Sequence, residues 1–169
     1  MNNNKTEKSP TRNGVLEQFL DKSAAVGNEN VLLTKKELQE KIKDKSFEYM
    51  YLPMFKQLVD VKAGEAGIDN AIVEVDLALA ETGSVVIESK NENKRLATCL
   101  AEKLYVMIPL SRLVKQLEEV ADFLEEHTQS EGGYVAFITG ASRTADIERV
   151  LTVGVHGPKE MVAFIVTDL

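Results

Sequence analysis

The chain has no tryptophan, a single cysteine and no surplus of basic over acidic residues. Each shortage excludes something. One cysteine, Cys99, cannot form a disulfide within the chain, which suits a reducing cytoplasm, the expected location. One cysteine also cannot hold an iron–sulfur cluster, so none is expected on this chain alone. His127, His156 and Cys99 lie far apart without ligand-type spacing, which argues against a metal site. As a thiol, Cys99 reads more readily as a buried core residue than as a nucleophile. With 20 Lys and Arg against 27 Asp and Glu, the net charge is −7. Lys5, Lys8 and Arg12 against Glu7 leave the rest more acidic still. Nucleic acid and anionic membrane both need a basic face, so neither is expected as the main partner. A small anion needs only one arginine and a few backbone N–H groups. No apolar run reaches the roughly 18 residues that span a bilayer. The G-x-G-x-x-G, P-loop and G-x-S-x-G patterns are absent. The opening "MNNNKTEKSPTR" lacks an apolar stretch and does not read as a signal peptide.

What is present suits a globular protein. The 169 residues are 44% hydrophobic and 28% charged, enough for a core. Residues 1–12 read as a disordered tail and 13–169 as one domain. Val15, Leu16, Phe19 and Leu20 share one helical face, and Gly27 follows as a stop signal. "VLL" at 31–33 reads as a short strand, and Thr34 as the N-cap of a charged helix with Leu38 and Ile42 inward. Pro53 interrupts the apolar segment 47–62, which suggests a loop or short helix and then a strand near 58–62. The pattern predicts a helix from Ile68 to about Ala80, a turn at Glu81-Thr82-Gly83 and a strand "SVVIES". "KNENKR" reads as a solvated loop, with a strand near 103–108 after it. Leu113, Val114, Leu117, Val120, Ala121 and Leu124 predict a helix from Ser111 to about Glu126. "SEGG" is a turn, "YVAFIT" a strand, "SRTADIERVL" a helix or helical turn, and "EMVAFIVTD" a final strand. Alternating strands and helices predict an α/β fold with a mostly parallel sheet sandwiched by helices. In such sheets ligands bind beyond the strand C-termini, where Gly140 and its successors are expected.

Three stretches carry polar chemistry. "TGASRT" at 139–144 follows a strand and leads into a helix-like segment, a junction that exposes unpaired N–H groups and a positive dipole end. Ser142 and Thr144 add hydroxyls, and Arg143 adds a fork for phosphate or carboxylate. The same residues also serve as plain capping, with Asp146 in the first turn and Arg143 in solvent. In "GVHGPKE", His156 is either a general acid/base or a histidine bonded within a tight turn fixed by Gly157-Pro158. In "ETGS" at 81–84, Gly83 permits positive φ or close ligand approach, and a simple turn with Glu81 exposed is the alternative.

Together these stretches resemble the LUD domain, the LutC/YkgG family of lactate-utilization proteins. "AETGSVV" at 80–86, "TGASRTADIE" at 139–148 and "GVHGPKE" at 154–160 match its motifs in order and spacing. The likeness covers about 30–169 and is best beyond residue 76. Ala141 stands where many members have proline, and the chain is short for the family. The resemblance implies a NagB/RpiA/CoA-transferase-like fold and a part in oxidising L-lactate to pyruvate. It also implies partner proteins that carry the iron–sulfur clusters. It marks Thr82, Gly83, Ser84, Thr139, Gly140, Ser142, Arg143, Thr144, Asp146 and Gly157 as ligand-binding candidates, and His156 and Glu81 as catalytic candidates. A homo-oligomer stays open. Two other readings stand beside this one: a regulatory module binding a phosphosugar, folate or coenzyme A type of ligand, and independent catalysis by His156 with Glu81 or Asp146.

Overall fold

A computed structural model describes residues 12–59, 67–88, 90–129, 134–142, 146–147, 150–151 and 157–169. The expected tail at 1–11 and the "SEGG" turn at 130–133 lie outside them, while Arg12 already begins a helix.

The chain runs α1 (Arg12–Ala25), β1 (Glu29–Leu33), α2 (Lys35–Asp44) and β2 (Tyr49–Leu52). A 3₁₀ turn at Pro53–Phe55 leads to β3 (Gln57–Val59), β4 (Ile68–Glu74), β5 (Leu77–Leu79) and β6 (Ser84–Glu88). Then come α3 (Glu92–Leu100), β7 (Ala101–Pro109), β8 (Leu113–Val114) and α4 (Ala121–Thr128). The last elements are β9 (Val135–Ile138), β10 (Asp146–Ile147), β11 (Val150–Leu151) and β12 (Glu160–Val166).

The main sheet has the order β1-β12-β7-β4-β2-β3. Its first five strands are parallel, and only the edge strand β3 runs antiparallel. A second sheet, β8-β5-β6-β9, is mixed. The side-chain period of two divides the strands between two cores. Leu104, Val106 and Ile108 of β7 join Met161, Ala163 and Ile165 of β12 under Phe19 of α1 and Val85 and Ile87 of β6. The alternate residues, Tyr105, Met107, Val162, Phe164 and Val166, face Leu38 and Ile42 of α2. A third cluster packs Leu79 and Val86 of the second sheet against Val120, Phe123 and Leu124. This is the expected α/β architecture, a mostly parallel sheet covered on both faces. Among the described residues, no helix is long and apolar enough to cross a membrane.

Local signals placed α1, β1 and α2 well. Thr34 accepts from Glu37 N, and the Glu37 carboxylate accepts from Thr34 N, a complete capping box. Five expectations need correction. The helix over 68–80 is two strands, β4 and β5. Ala71, Ile72 and Val73 are buried on both faces of the main sheet, and such a run carries no period-two signal. The helix over 111–126 begins only at Ala121. Leu113 and Val114 pair with Ala78 and Leu79, and Arg112 is held by Glu74 at 2.9 Å and by the Val75 carbonyl at 2.6 Å. The "KNENKR" loop is the start of α3. Asn91 caps it by accepting from Asn93 N and Lys94 N, and Lys94 is buried against Asp76 at 3.2 Å. In 47–62 the strand β2 comes first, from Tyr49, because it pairs with β4. Asp146–Ile147 pairs antiparallel with Val150–Leu151, so the expected helix there is a two-stranded ladder.

Candidate functional site

The three polar stretches meet. Thr82 Oγ1 donates to Ser84 Oγ at 2.8 Å, and Ser84 Oγ shares a 2.9 Å hydrogen bond with Thr139 Oγ1. This chain of hydroxyls joins the 81–84 turn to the start of the 139–142 loop. At the loop's other end, Ser142 N donates to the Pro158 carbonyl at 2.8 Å. Gly157 has φ +124°, and a Cβ there would lie 3.3 Å from Ser142 Cβ. The loops around Ser142 and Gly157 are therefore in direct contact.

The end of α1 aligns both outer pieces. Gly83 has φ +69°, and a Cβ there would stand 2.4 Å from Ser23 N and 2.7 Å from the Lys22 carbonyl carbon. Glycine is required by both the conformation and the space. Asn28, buried just past the helix, donates from Nδ2 to Ser23 Oγ at 3.1 Å and to the Thr139 carbonyl at 2.9 Å. A Cβ on Gly140 would come within 2.9 Å of Asn28 Oδ1. That oxygen is buried and has no hydrogen-bond partner among the described residues. Asn28 was not among the sequence candidates. Its role depends on a contact with a segment far away in the chain, which no local pattern shows.

Beside the joined loops lies a cleft of ≈ 320 Å³ between α3 and the edge strand β9. Thr139, Gly140, Ser142, Gly157 and Pro158 form its polar end. Thr98, Cys99, Tyr134, Ala136, Phe137 and Ile138 complete it. Its size is at the lower end for small-molecule pockets. None of these lining residues carries a charged side chain. Cys99 is exposed here, not buried as expected, because it falls on the outward side of a helix that the sequence had read as a loop and short segment.

The cleft differs from the expected geometry in two ways. It does not lie beyond the C-termini of the parallel strands. Its 139–142 loop follows β9, which belongs to the second sheet and pairs antiparallel with β6. Gly157 and Pro158 precede β12, Thr98 and Cys99 precede β7, and Lys159 N donates to the Glu102 carbonyl at 2.8 Å. The site is therefore at the N-terminal ends of β7 and β12. Nor, among the described residues, does a helix N-terminus point into it. Ser142 N is already satisfied by Pro158, and Asp146–Ile147 is a strand. What the cleft offers is hydroxyl groups at Thr139 and Ser142, with an apolar and aromatic wall opposite.

The remaining candidates separate. Glu81 Oε1 accepts from Leu117 N at 3.0 Å and does not line the cleft. Thr82 and Ser84 reach it only through Thr139. Asp146 lies in β10. Arg143, Thr144 and His156 fall outside the described residues. Among the described residues, no group of His, Cys, Asp and Glu is placed to hold a metal ion.

Comparison with known proteins places this geometry in a family. The family model described as the LUD domain matches residues 58–166. Lactate utilization protein C of Geobacillus thermodenitrificans is 38% identical over 118 residues, covering 67% of this chain and 47% of that protein. Lactate utilization protein C of Anoxybacillus flavithermus is 34% identical over 137 residues, covering 74% of this chain and 61% of that protein. The chain thus spans about half the length of such relatives. A crystal structure of a DUF162 family protein from Deinococcus radiodurans superimposes with a TM-score of 0.67 at 13% identity, over 94% of this chain and 100% of that one. The chain belongs to the LUD domain family.

Proposed function

We propose that this chain is a LutC-like subunit of a lactate-utilization system and that its α3–β9 cleft receives a small anion. The observation that carries the reading is the joining of the 81–84, 139–142 and 157–158 segments around one cleft. The likeness to proteins named for lactate utilization supplies the process. Oxidation of L-lactate to pyruvate removes two electrons and two protons. The family resemblance implies partner proteins that carry iron–sulfur clusters, and a chain with one cysteine, which cannot hold a cluster alone, fits that division. This chain's part is to hold the anion. Thr139 and Ser142 supply hydroxyl donors, and Arg143, the next residue after Ser142, is the cation of choice for a carboxylate fork.

The test is genetic. Deleting the gene should abolish or strongly slow growth on L-lactate while growth on glucose stays normal. Wild-type protein should restore growth. Arg143→Ala and the double variant Ser142→Ala with Thr139→Val should not, although both accumulate as folded protein. Normal growth of the deletion strain on L-lactate would sink the proposed process. Full rescue by both variants would remove the anion from the cleft.

A further inference from the structure

A larger cavity lies on the opposite face of the main sheet. Its volume is ≈ 620 Å³, within the usual span for small-molecule sites. It exists because α2 covers only part of that face. The ten-residue helix ends at Asp44, and its buried residues, Leu38 and Ile42, sit over the neighbouring core. The strand starts near Glu29, Lys103 and Glu160 are left uncovered.

The floor is aromatic. Tyr105 stands edge-on to Phe47, with ring centroids 5.3 Å apart, and tilted to Phe164 at 5.4 Å. Val31 and Val162 extend this shelf. Two ammonium groups lie over the Tyr105 ring, Lys45 at 4.1 Å and Lys103 at 5.8 Å from its centre. They are not equivalent. Lys103 is neutralised by Glu160 at 2.5 Å. Lys45 donates to the Tyr105 hydroxyl, and among the described residues no carboxylate lies within ion-pair distance of it. Desolvation and the nearby Lys103 hold its pKa below the ordinary lysine value, against the opposing pull of Glu29 and Glu160. A bound negative group relieves that strain on the charge. Lys41, one helical turn back, lines the same cavity.

We infer that this cavity is a second ligand site, for a small monoanion with a flat apolar body, an aryl carboxylate in class. The carboxylate sits at Lys45 and Lys41, and the ring lies on the Phe47–Tyr105–Phe164 shelf. Glu29 and Asp44, which also line the cavity, set the limit on charge. They repel a multiply charged phosphate but tolerate one negative group. The site is independent of the α3–β9 cleft, shares no lining residue with it among the described residues, and does not rest on the lactate reading.

Calorimetric titration with naphthoate tests the inference. Wild type should bind with a Kd of about 1 mM or tighter, and Lys45→Met should weaken binding about tenfold. Lys41→Ala should weaken it by a smaller factor, and Lys45→Arg should keep it. Both lysines are exposed, so the unliganded variants should unfold near the wild-type temperature. Ser142→Ala, in the other cleft, should change nothing. Inorganic phosphate should not displace naphthoate. Absence of saturable binding, equal binding by Lys45→Met and Lys41→Ala, or effective competition by phosphate would each overturn it.

Discussion

Asn28 and Thr139 are 111 positions apart in sequence and joined by one 2.9 Å hydrogen bond from a buried carboxamide. The same Nδ2 holds Ser23 Oγ at 3.1 Å, so one amide ties the end of α1 to the loop that begins the cleft. Both partners are acceptors for that nitrogen. Asn28→Ala leaves them without a donor and should cost about 1–3 kcal/mol. At this chain length that is a fall of roughly 2–12 °C in unfolding temperature. Asn28→Asp keeps the shape but sets a buried carboxylate oxygen against the Thr139 carbonyl, so it should be the more destabilising of the two. Differential scanning calorimetry on both variants decides it. An aspartate variant as stable as wild type would mean that the amide donors do not hold the loop.

The capping box at α2 makes a pH prediction. The Glu37 carboxylate accepts from Thr34 N at 2.7 Å and from Thr34 Oγ1 at 2.8 Å. The Thr34 backbone bond, then its hydroxyl, then Lys41 lower the Glu37 pKa below its ordinary value of 4.5, against slight burial. A carboxylate with a depressed folded-state pKa stabilises the fold above its unfolded-state pKa. That contribution is lost as pH falls through the folded value. Glu37→Gln keeps an acceptor but removes the charge and the titration. At neutral pH it should unfold at a lower temperature than wild type. The gap should shrink as pH falls below the ordinary carboxyl value of 4.5 and the wild-type carboxyl protonates. A gap that stays constant through acid would show that the charge adds nothing to the cap.

These two features also mark what a reader of the sequence can and cannot see. Thr34, Glu37, Leu38 and Ile42 act within one turn or face of a helix, so their spacing reveals them. The family motifs at 80–86 and 139–148 point to residues that do converge, at Ser84 and Thr139. What stayed hidden depends on distant partners. Ile68–Glu74 is a strand because β2 and β7 flank it, and its apolar run fits a buried helix equally well. Lys94 looked solvated within a charged stretch, but Asp76 and the Tyr51 ring draw it inside. Cys99 looked like core, and the start of α3 turns it outward into the cleft. Asn28 has no local signature at all. The dipole of a following helix is not available to the 139–142 loop. The apolar spacing suggested a helix after Ser142, and β10 and β11 pair there instead.

Gly83 supplies the sharpest test of how the cleft is aligned. It sits in the turn of the 81–84 segment with φ +69°, where an L-residue is strained by about 1–2 kcal/mol. Space is the second restriction. A Cβ would stand 2.4 Å from Ser23 N and 2.8 Å from Ser23 Cα, both backbone atoms of α1 that no side-chain rotation can move. Gly83→Ala must therefore push α1 away from the turn and disturb Phe19, which the same helix buries in the main core. Gly67 is the internal control. Its φ is not in the left-handed region, and the nearest atom to a Cβ there is the Leu100 carbonyl oxygen at 3.9 Å. Gly67→Ala should leave stability unchanged or raise it slightly by narrowing the unfolded ensemble. Gly83→Ala should lose at least about 2 kcal/mol, a fall of roughly 4–8 °C. Urea unfolding of the two variants side by side gives the comparison. Equal stability would mean that α1 does not seat on the turn as tightly as these distances require. The larger loss at Gly83 would show that this contact fixes the hydroxyl chain from Thr82 to Thr139, and with it the polar end of the cleft.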